Sequence, residues 1–571
     1  MKRMMQRRIM SAFVVLSMLF LVACGSGDNT PQNSDEKTGS VSTEQSASSG
    51  FTSTESFDPF GKYEPAIDIT VGRATNSTYK FIEGESFDNN IWNTEYKNVL
   101  GINIKNSFIV DSSQYESKVN VVIASGNIPD LMSVSAKQTK MLMDADLIYD
   151  ISGIFDDYAS PLLKKVVTGD PKIAAASKIE GKLMGIPVPW GLDFQVPEVY
   201  IRSDWMKKLS LPEPKTFGDL LKIAETFVTQ DPDGDKKKDT IGIPLNKDLS
   251  LTSGVGDFGA WLNMLHAYKG IWLKDDSGNL VYSSIQPEMR AALQKLQELY
   301  RNGIIDQEFS VKDGGKVAQD IVAENVGLYI GVFWSPAYPL QDLKNKNPDS
   351  DWNVYPIFSV DDKPALSQAS VNISQFFVIK KKCEHPEAIL KLCNLTLEDR
   401  FGSRSEEWSK ITMSDKYKNM QTHKYSVIEM ETPTLNRDLF NEVQAAMDSN
   451  DPSKLILQGS KDDYNGSQKF LKGDNKFWNI YRVRGDKNGG MGVAKKILDS
   501  DSIKYNEFFG IPGPVAIEKG STMDKLENEI FTKIVMDAAP ISDFDKFAEQ
   551  WKKIGGDDLT KEVNDWYAKN K

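Results

Sequence analysis

The sequence predicts an α/β fold, in which strands and helices alternate along the chain. Runs of alternating apolar residues at 66–71 and 101–104 have the period of half-buried strands. Helical patterns follow at 287–300 and 386–395, and each of them opens with a proline followed by glutamate. A last helical pattern, at 544–551, is followed by two glycines that end it. Mixed segments of this kind, in a chain without an internal repeat, indicate α/β lobes.

Each predicted helix is supported by apolar side chains that fall on one face. In chain order these side chains are Met289, Leu293, Leu296 and Tyr300, then Ile389, Leu390 and Cys393, and finally Phe544, Phe547 and Trp551. Residues 119–123 have the composition of a strand, but the family comparison given below assigns them to the end of a helix.

Length and composition exclude several classes of protein. The chain has 571 residues, of which 40% are hydrophobic and 26% are charged, and this excludes collagen, a disordered chain and a polytopic membrane protein. The net charge is −12, so the chain lacks the basic excess of a general nucleic-acid-binding protein. Three cysteines are too few for a disulfide scaffold, and three histidines argue against a histidine-rich metal site.

The N-terminus has the pattern of an export signal. Four Lys and Arg residues lie among the first eight positions, and the apolar stretch at 9–23 is too short for an ordinary spanning helix. The stretch ends in Leu-Val-Ala-Cys, which resembles the lipobox of bacterial lipoproteins. This resemblance predicts a signal peptide at 1–23, cleaved before Cys24, which then receives lipid such as palmitate. A plain signal peptide, or a short anchor with a chance cysteine, is the alternative.

Residues 24–62 are predicted to form a flexible tether. Most of this stretch consists of Ser, Thr, Gly, Asn, Gln and Glu, and it cannot bury enough apolar surface to offset the entropy of ordering. No other part of the chain reaches 18 consecutive apolar residues. We therefore expect a lipid-anchored body in water at the extracellular face of the bacterial cell membrane.

Five segments along the chain carry motifs of one known family. They are ASGNIPD at 124–130, GKLMGIP at 181–187, YIRSDW at 200–205, HPEA at 385–388 and a C-terminal pattern from FDKF to EVNDWY at 544–567. Each motif is short, but together and in order they cover residues 66–571. The chain thus resembles the family 1 extracellular solute-binding proteins, the capture subunits of ABC importers, and among them the larger lipoproteins that bind oligosaccharides or alginate.

The resemblance implies a two-lobed α/β fold of the type II periplasmic-binding-protein kind, with lobes that are discontinuous in sequence. The first lobe is predicted to comprise 63–190 and 375–509, the second 191–374 and 510–571, and the hinge crossings lie near 190–200, 367–377 and 509–514. Proteins of this family close around a solute by hinge motion, and the importer recognises the closed form.

An acidic loop has the spacing of a calcium site. Asp231, Asp233, Asp235 and Asp239 stand at positions 1, 3, 5 and 9 of a calcium loop, with the carbonyl of Lys237 at position 7. Position 6 is Lys236 instead of glycine, and position 12 is Gly242 instead of a bidentate glutamate. A structural Ca²⁺, as in some alginate-binding relatives, is one reading of the loop; a solvated turn after a helix is the other.

A sugar site needs aromatic platforms for the apolar ring faces and polar side chains for the hydroxyls. Position within the family pattern selects the ligand-binding candidates Trp190, Asp193, Arg202, Trp261 and Trp334. For each of them, packing in the core is the alternative, and the same holds for Tyr200. Trp92, Trp205, Trp551 and Trp566 are assigned to packing. Arg482 is assigned to a surface ion pair, with contact to an acidic sugar as the alternative. Cys383 and Cys393 are expected to be free, at least partly buried thiols, with a disulfide between them as the alternative.

The leading functional hypothesis is a membrane-anchored protein that captures a carbohydrate and delivers it to the permease subunits of an ABC importer. The alternatives are a peptide-binding protein, a surface sensor or adhesion lipoprotein, and a surface glycosidase or lyase. Two carboxylates about 5 to 10 Å apart would suffice for a glycosidase. No nucleophile elbow, P-loop, HExxH motif or Cys/His pair is present, however. We therefore expect no enzyme activity, no organic cofactor and no nucleic-acid partner.

Overall fold

The computed structural model describes residues 57–76, 79–249, 251, 254–417 and 420–570. The predicted signal peptide, Cys24 and most of the predicted tether lie outside these residues. Within them, no helix combines the length and the apolar character that crossing a bilayer requires.

The described residues form twelve strands. They are β1 (Ile67–Thr75), β2 (Ile102–Asp111), β3 (Leu131–Val134), β4 (Ile186–Pro189), β5 (Glu198–Arg202), β6 (Trp272–Lys274), β7 (Leu280–Tyr282), β8 (Leu328–Gly331), β9 (Trp352–Tyr355), β10 (Ser367–Ala369), β11 (Ile373–Ile379) and β12 (Ile503–Tyr505). The two strands expected at 66–71 and 101–104 are confirmed as β1 and β2.

The helices fill the intervals between strands and most of the C-terminal third. They are α1 (Ile91–Glu95), α2 (Ser112–Ser125), α3 (Ala136–Asp144), α4 (Ser152–Tyr158), α5 (Pro161–Thr168), α6 (Pro171–Ala176), α7 (Ser203–Lys208), α8 (Phe217–Gln230), α9 (Gly259–Met264), α10 (Pro287–Arg301), α11 (Gly314–Ala323), α12 (Gln341–Lys346), α13 (Glu387–Phe401), α14 (Ser405–Thr412), α15 (Leu435–Ser449), α16 (Gln458–Leu471), α17 (Trp478–Ile480), α18 (Gly490–Leu498), α19 (Pro514–Val535), α20 (Asp543–Trp551) and α21 (Asp557–Asn570).

The predicted helices are confirmed, with one difference at the C-terminus. Residues 119–123 end α2, as the family comparison indicated, and α10 begins at a proline, whose missing N–H costs nothing in the first turn. After α20 the chain does not leave the helical layer. It turns at Gly555, where φ is +154°, and continues as α21. A residue with a side chain would be strained in that conformation.

The first sheet has the strand order β2-β1-β3-β11-β4. The strands β2, β1 and β3 run parallel, while β11 runs antiparallel to both β3 and β4. Ile69 and Val71 of β1 are buried, and the helices α4, α5 and α13 contribute to the same apolar core. The free thiol of Cys393 lies in this core, and Cys383 packs at its margin without forming a disulfide.

The second sheet has the order β8-β5-β9, and all its strands are antiparallel neighbours. Its central strand β5 is buried over all five residues, because helices cover both faces. Val199 and Ile201 face a core formed with α8, α10, α19 and α20. Tyr200, on the opposite face, packs with Tyr329 in a core that includes α11, α15 and α18.

The cores also show how the C-terminal helices are distributed. Phe440 of α15, Trp478 of α17 and Val493 of α18 share one core with the second sheet. A division by core packing would therefore place residues 435–498 with the second lobe, whereas the prediction placed them with the first. The lobe boundaries stay a prediction.

Candidate functional site

Two chain segments connect the first sheet to other strands. The strand β4 belongs to the first sheet and β5 to the second, so residues 190–197 form the first crossing. The second crossing, residues 370–372, joins β11 of the first sheet to β10, which pairs with β12 in a separate two-stranded sheet. These segments lie at the positions predicted for the first and second crossings.

Side-chain amides tie the two crossings to each other. Nε2 of Gln195 donates to the carbonyl oxygen of Ser370 at 2.9 Å, and the N–H of Ser370 donates to Oε1 of Gln195 at 2.9 Å. Nearby, the N–H of Trp190 donates to the carbonyl oxygen of Asn372 at 3.0 Å. The side chain of Gln195 thus joins the two crossings through two hydrogen bonds to the backbone of Ser370.

The chain passes between the cores a third time near Pro433, a position that the sequence did not reveal. Met430 packs in the core of the first sheet, and Phe440 packs in that of the second. At the predicted third crossing, 509–514, Ile511 packs against a core of the first sheet. Gly191 lies against the Pro433 segment so closely that a Cβ atom would come within 2.6 Å of the carbonyl oxygen of Pro433.

Asp193, predicted as a ligand residue, lies at this meeting point. Its side chain is buried, and Nε of Arg437 lies 3.0 Å from its Oδ1 atom. Burial raises the pKa of Asp193 to about 6, and the attraction of Arg437 only partly opposes this rise. The structure therefore gives Asp193 a partner within the protein.

A pocket of about 120 Å³ opens beside the crossings. Its lining residues are Gln195, Pro197, Leu251, Asp257, Gly259, Ala260, Asn263, Gln368, Ala369 and Ser370. The carboxylate of Asp257 accepts a hydrogen bond from the N–H of Ala260 at 2.8 Å. Oδ1 of Asn263 accepts one from the N–H of Gln368 at 2.9 Å. These bonds fix the polar groups of the pocket in place before any ligand arrives.

Aromatic side chains extend from the first crossing toward the turn after β8. The side chain of Trp190 is 50% exposed, and its ring meets that of Phe194 at 5.3 Å between centroids. The ring of Phe194 in turn meets that of Phe333 at 5.4 Å. Trp334, the next residue, is half-buried. The row of ring contacts thus runs from Trp190 to Phe333, the residue that precedes the other predicted platform, Trp334.

The other two ligand candidates belong to the core instead. Trp261 is completely buried, and its ring packs edge-on against Phe217. A ring without accessible area cannot stack on a sugar, so Trp261 is reassigned to packing. Arg202 also requires this correction, because its buried guanidinium pairs with Asp204 at 2.6 Å and with Glu324 at 3.1 Å.

The sequence analysis did not identify Glu198, whose buried carboxyl lies beside the turn after β8. Oη of Tyr200 lies 2.7 Å from Oε2 of Glu198 and 2.8 Å from the carbonyl oxygen of Val332. Burial raises the pKa of Glu198 well above its ordinary value, although the hydroxyl of Tyr200 and the backbone amide of Ala494 oppose the shift. No motif could have found Glu198, since a buried glutamate in a strand has no local sequence signal. Asp257, Asn263 and Gln368 were missed for a similar reason: they converge only in three dimensions.

The acidic loop follows α8, and its carboxylates converge. Oxygen atoms of Asp231, Asp233 and Asp235 all lie within 4.8 Å of one another. Lys236, which replaces the glycine of a calcium loop, has φ of +67°, the left-handed conformation that glycine would adopt there. The loop therefore has a backbone feature of a calcium loop despite its different residue.

The other two predicted ligands of the loop are Asp239 and the carbonyl of Lys237. Oδ1 of Asp239 is buried and has no hydrogen-bond partner among the described residues. The side chain of Lys237 pairs with Asp235 at 2.5 Å, which leaves its carbonyl as the group available to a metal. Burial raises the pKa of Asp233, and its neighbour Asp231 adds to the rise. This crowding of oxygen atoms suits a hard divalent cation.

Comparison with known proteins adds a family and several relatives. A family model described as bacterial extracellular solute-binding protein matches residues 81–397. Lipoprotein LipO of Bacillus subtilis (strain 168) is 25% identical over 479 residues, which cover 82% of this chain and 87% of LipO. The fructooligosaccharide ABC transporter substrate-binding protein FusA of Streptococcus pneumoniae is 28% identical over 215 residues, 34% of this chain and 38% of FusA.

Solved structures share the two-lobed fold at low sequence identity. A solute-binding protein associated with an HMO-binding ABC transporter of Bifidobacterium longum infantis superposes with a TM-score of 0.60 and 15% identity, covering 88% of this chain and 98% of that one. An EF-hand mutant of FusA in complex with fructo-nystose gives 0.53 and 15%, covering 88% and 99%. These likenesses confirm the predicted two-lobed α/β fold. Because the family model spans more than half of the chain, the protein belongs to the bacterial extracellular solute-binding proteins.

Proposed function

We propose that this solute-binding protein captures an oligosaccharide between its two lobes, at the pocket beside the crossings, and delivers it to the permease subunits of an ABC importer without converting it. The observation that carries the proposal is the half-exposed indole of Trp190 on a crossing that also lines a pocket of amide and carboxylate groups. An apolar ring face and fixed polar groups are what a sugar requires. The names of FusA and of the HMO-binding protein support a saccharide.

Closure of the lobes is proposed to occur about the crossings. The pair formed by Gln195 and Ser370 keeps the first and second crossings together, so rotation would be absorbed beside it. Residues 191–194 and 371–372 are the short connections that remain. A hinge of this kind uses a few residues at the ends of regular elements.

Anchoring and division into lobes complete the proposal. Cys24 would carry the lipid, and the tether would hold the body outside the cell membrane. The name of LipO supports a lipoprotein. In the division that we favour, residues 435–498 move with the second lobe because they share its core. Replacement of Cys24 by serine should release the protein from the membrane fraction.

A structural Ca²⁺ is proposed for the acidic loop. Its ligands would be the carboxylates of Asp231, Asp233, Asp235 and Asp239 and the carbonyl of Lys237. A divalent cation there would neutralise crowded carboxylates and stabilise the loop after α8. Its role would be to hold the loop, since the pocket lies on other elements.

Titration calorimetry with neutral and acidic oligosaccharides tests the function. We expect one saccharide class to bind, with no shortened products after long incubation. Trp190→Ala should weaken binding by more than about 1 kcal/mol, because a stacking platform is lost. Phe57→Ala is the control, because Phe57 is also an exposed aromatic residue but lies outside the crossings. This variant should leave the affinity unchanged. Shortened saccharides, or equal affinities in both variants, would contradict the proposal.

A further inference from the structure

The turn that carries Trp334 is closed by hydrogen bonds to a single residue. The N–H of Val332 donates to Oγ of Ser335 at 3.0 Å, and the N–H of Ser335 donates to the carbonyl oxygen of Val332 at 2.8 Å. Trp334 lies between them, and its ring rests on Gly254, where a Cβ atom would come within 2.6 Å of the indole. The Val332 carbonyl is thus one of the groups that close the turn carrying Trp334.

This carbonyl also has a buried partner on the neighbouring strand. Oη of Tyr200 lies 2.8 Å from the carbonyl oxygen of Val332 and 2.7 Å from Oε2 of Glu198. A carbonyl oxygen only accepts, and a phenol has a single proton to donate. If Glu198 were ionised, two acceptors would compete for one proton. A protonated carboxyl supplies the second proton, so that both short contacts become hydrogen bonds.

The surroundings of Glu198 agree with a neutral acid. Its side chain is completely buried, and Oε1 has no hydrogen-bond partner among the described residues. Within the same part of the chain, no Lys or Arg lies within ion-pair distance of this carboxyl. Two other titratable groups lie near: Tyr329 stacks on Tyr200 at 5.4 Å, and the charge of Arg482 acts on Tyr200 from the C-terminal helices. The last neighbour is the uncharged backbone amide of Ala494 in α18. An ionised carboxylate would have no positive charge beside it to offset the free-energy cost of its burial.

We propose that Glu198 is a neutral carboxylic acid in the folded protein, and that Glu198 and Tyr200 are positioning residues for the ligand-facing turn. The acid proton on Oε2 bonds to Oη of Tyr200, and the proton of Tyr200 bonds to the carbonyl of Val332. Neither residue touches the ligand. They act by holding the turn that presents Trp334, and only this last step rests on the proposed function.

Three variants of the purified protein separate this arrangement from general packing. Glu198→Gln offers an N–H in place of the acid proton and should preserve the bonds. Tyr200→Phe removes the hydroxyl that connects the acid to the turn. Tyr96→Phe is the matched control, because the hydroxyl of Tyr96 also makes two buried hydrogen bonds, but in the core of the first sheet. Hydrogen exchange of residues 332–340 and the infrared band of a protonated carboxyl are measured without ligand, from neutral to alkaline pH.

We expect exchange of the turn to rise about tenfold in Tyr200→Phe, the consequence of one lost buried hydrogen bond, and to stay unchanged in Tyr96→Phe and Glu198→Gln. At neutral pH one protonated-carboxyl contribution of the wild-type band should be lost in Glu198→Gln. At alkaline pH the wild-type turn should loosen, whereas that of Glu198→Gln should not.

Three results would overturn the proposal: a carboxyl band that Glu198→Gln leaves unchanged, a turn that loosens in Glu198→Gln at neutral pH, or equal effects of the two tyrosine replacements. None of these readings depends on a sugar. A protein that shows the expected exchange pattern but binds no saccharide would refute the proposed function and leave the protonation of Glu198 intact. Binding data extend the test: Tyr200→Phe should lower affinity for any saccharide that Trp334→Ala also weakens.

Discussion

Replacement of Gln195 by alanine tests the hinge most sharply. The change removes two hydrogen bonds, one to the carbonyl and one to the N–H of Ser370, each at 2.9 Å. A typical intramolecular hydrogen bond contributes about 1 kcal/mol net, so the two together contribute about 2 kcal/mol. Ser370 is half-buried, so water can reach its backbone after the replacement and keeps the cost near this sum.

Hydrogen exchange at the second crossing is the assay. A local loss of about 2 kcal/mol accelerates exchange of the Ser370 amide by about 30-fold when exchange follows local opening. Gln458→Ala is the control, because Gln458 is also a half-buried glutamine, and its side-chain amide donates to Asp462 at 3.0 Å, away from the crossings. The control should leave exchange at Ser370 unchanged. Equal exchange at Ser370 in both variants would refute the role of Gln195 in joining the crossings.

Three further predictions address burial, charge and metal. Trp261→Ala should lower the free energy of unfolding by about 3 to 5 kcal/mol in chemical denaturation, whereas Trp190→Ala should lower it by less than about 1 kcal/mol; similar losses would contradict the placement of Trp261 in the core. The folded protein keeps the proton of Asp193 up to about pH 6, while an unfolded aspartate releases it near pH 3.8, so stability falls by about 3 kcal/mol as pH rises through this window. Asp193→Asn should remove that part of the pH dependence, and a persisting slope would exclude Asp193 as its source. Calcium should raise the thermal midpoint of the wild type but not of a variant with Asp231→Asn and Asp235→Asn, and a calcium effect that survives both changes would place the ion elsewhere.

Short-range patterns predicted much of the fold. The proline that opens α10, the Pro-Glu start of α13 and the strands β1 and β2 all follow from local spacing. The order of family motifs added the two lobes and the first two crossings. What local patterns do not contain is the pairing of distant segments. The bond between Gln195 and Ser370 joins residues 175 positions apart, and nothing in either neighbourhood requires the other.

The site was predicted less completely, for a physical reason. The identity of a residue does not reveal whether its side chain is buried or exposed, so the sequence could not distinguish Trp190 from Trp261 as ligand-binding candidates. The structure separates them, since one is 50% exposed and the other is completely buried. Arg202 was a candidate because it leaves the first crossing, but its guanidinium pairs with Asp204, two positions along the chain, and with the distant Glu324. The acidic loop was easier to find, because its oxygen atoms come from one short segment.

The central claim is that the protein binds an oligosaccharide reversibly. A thermal-shift screen tests it directly, with mono- and oligosaccharides, neutral and acidic, and peptides as the competing class. A ligand that binds only the folded state stabilises it by about 2.7 kcal/mol at 100 times its dissociation constant, which is a clear rise in the midpoint. We expect such a rise with one class of oligosaccharide. A rise with peptides alone would contradict it.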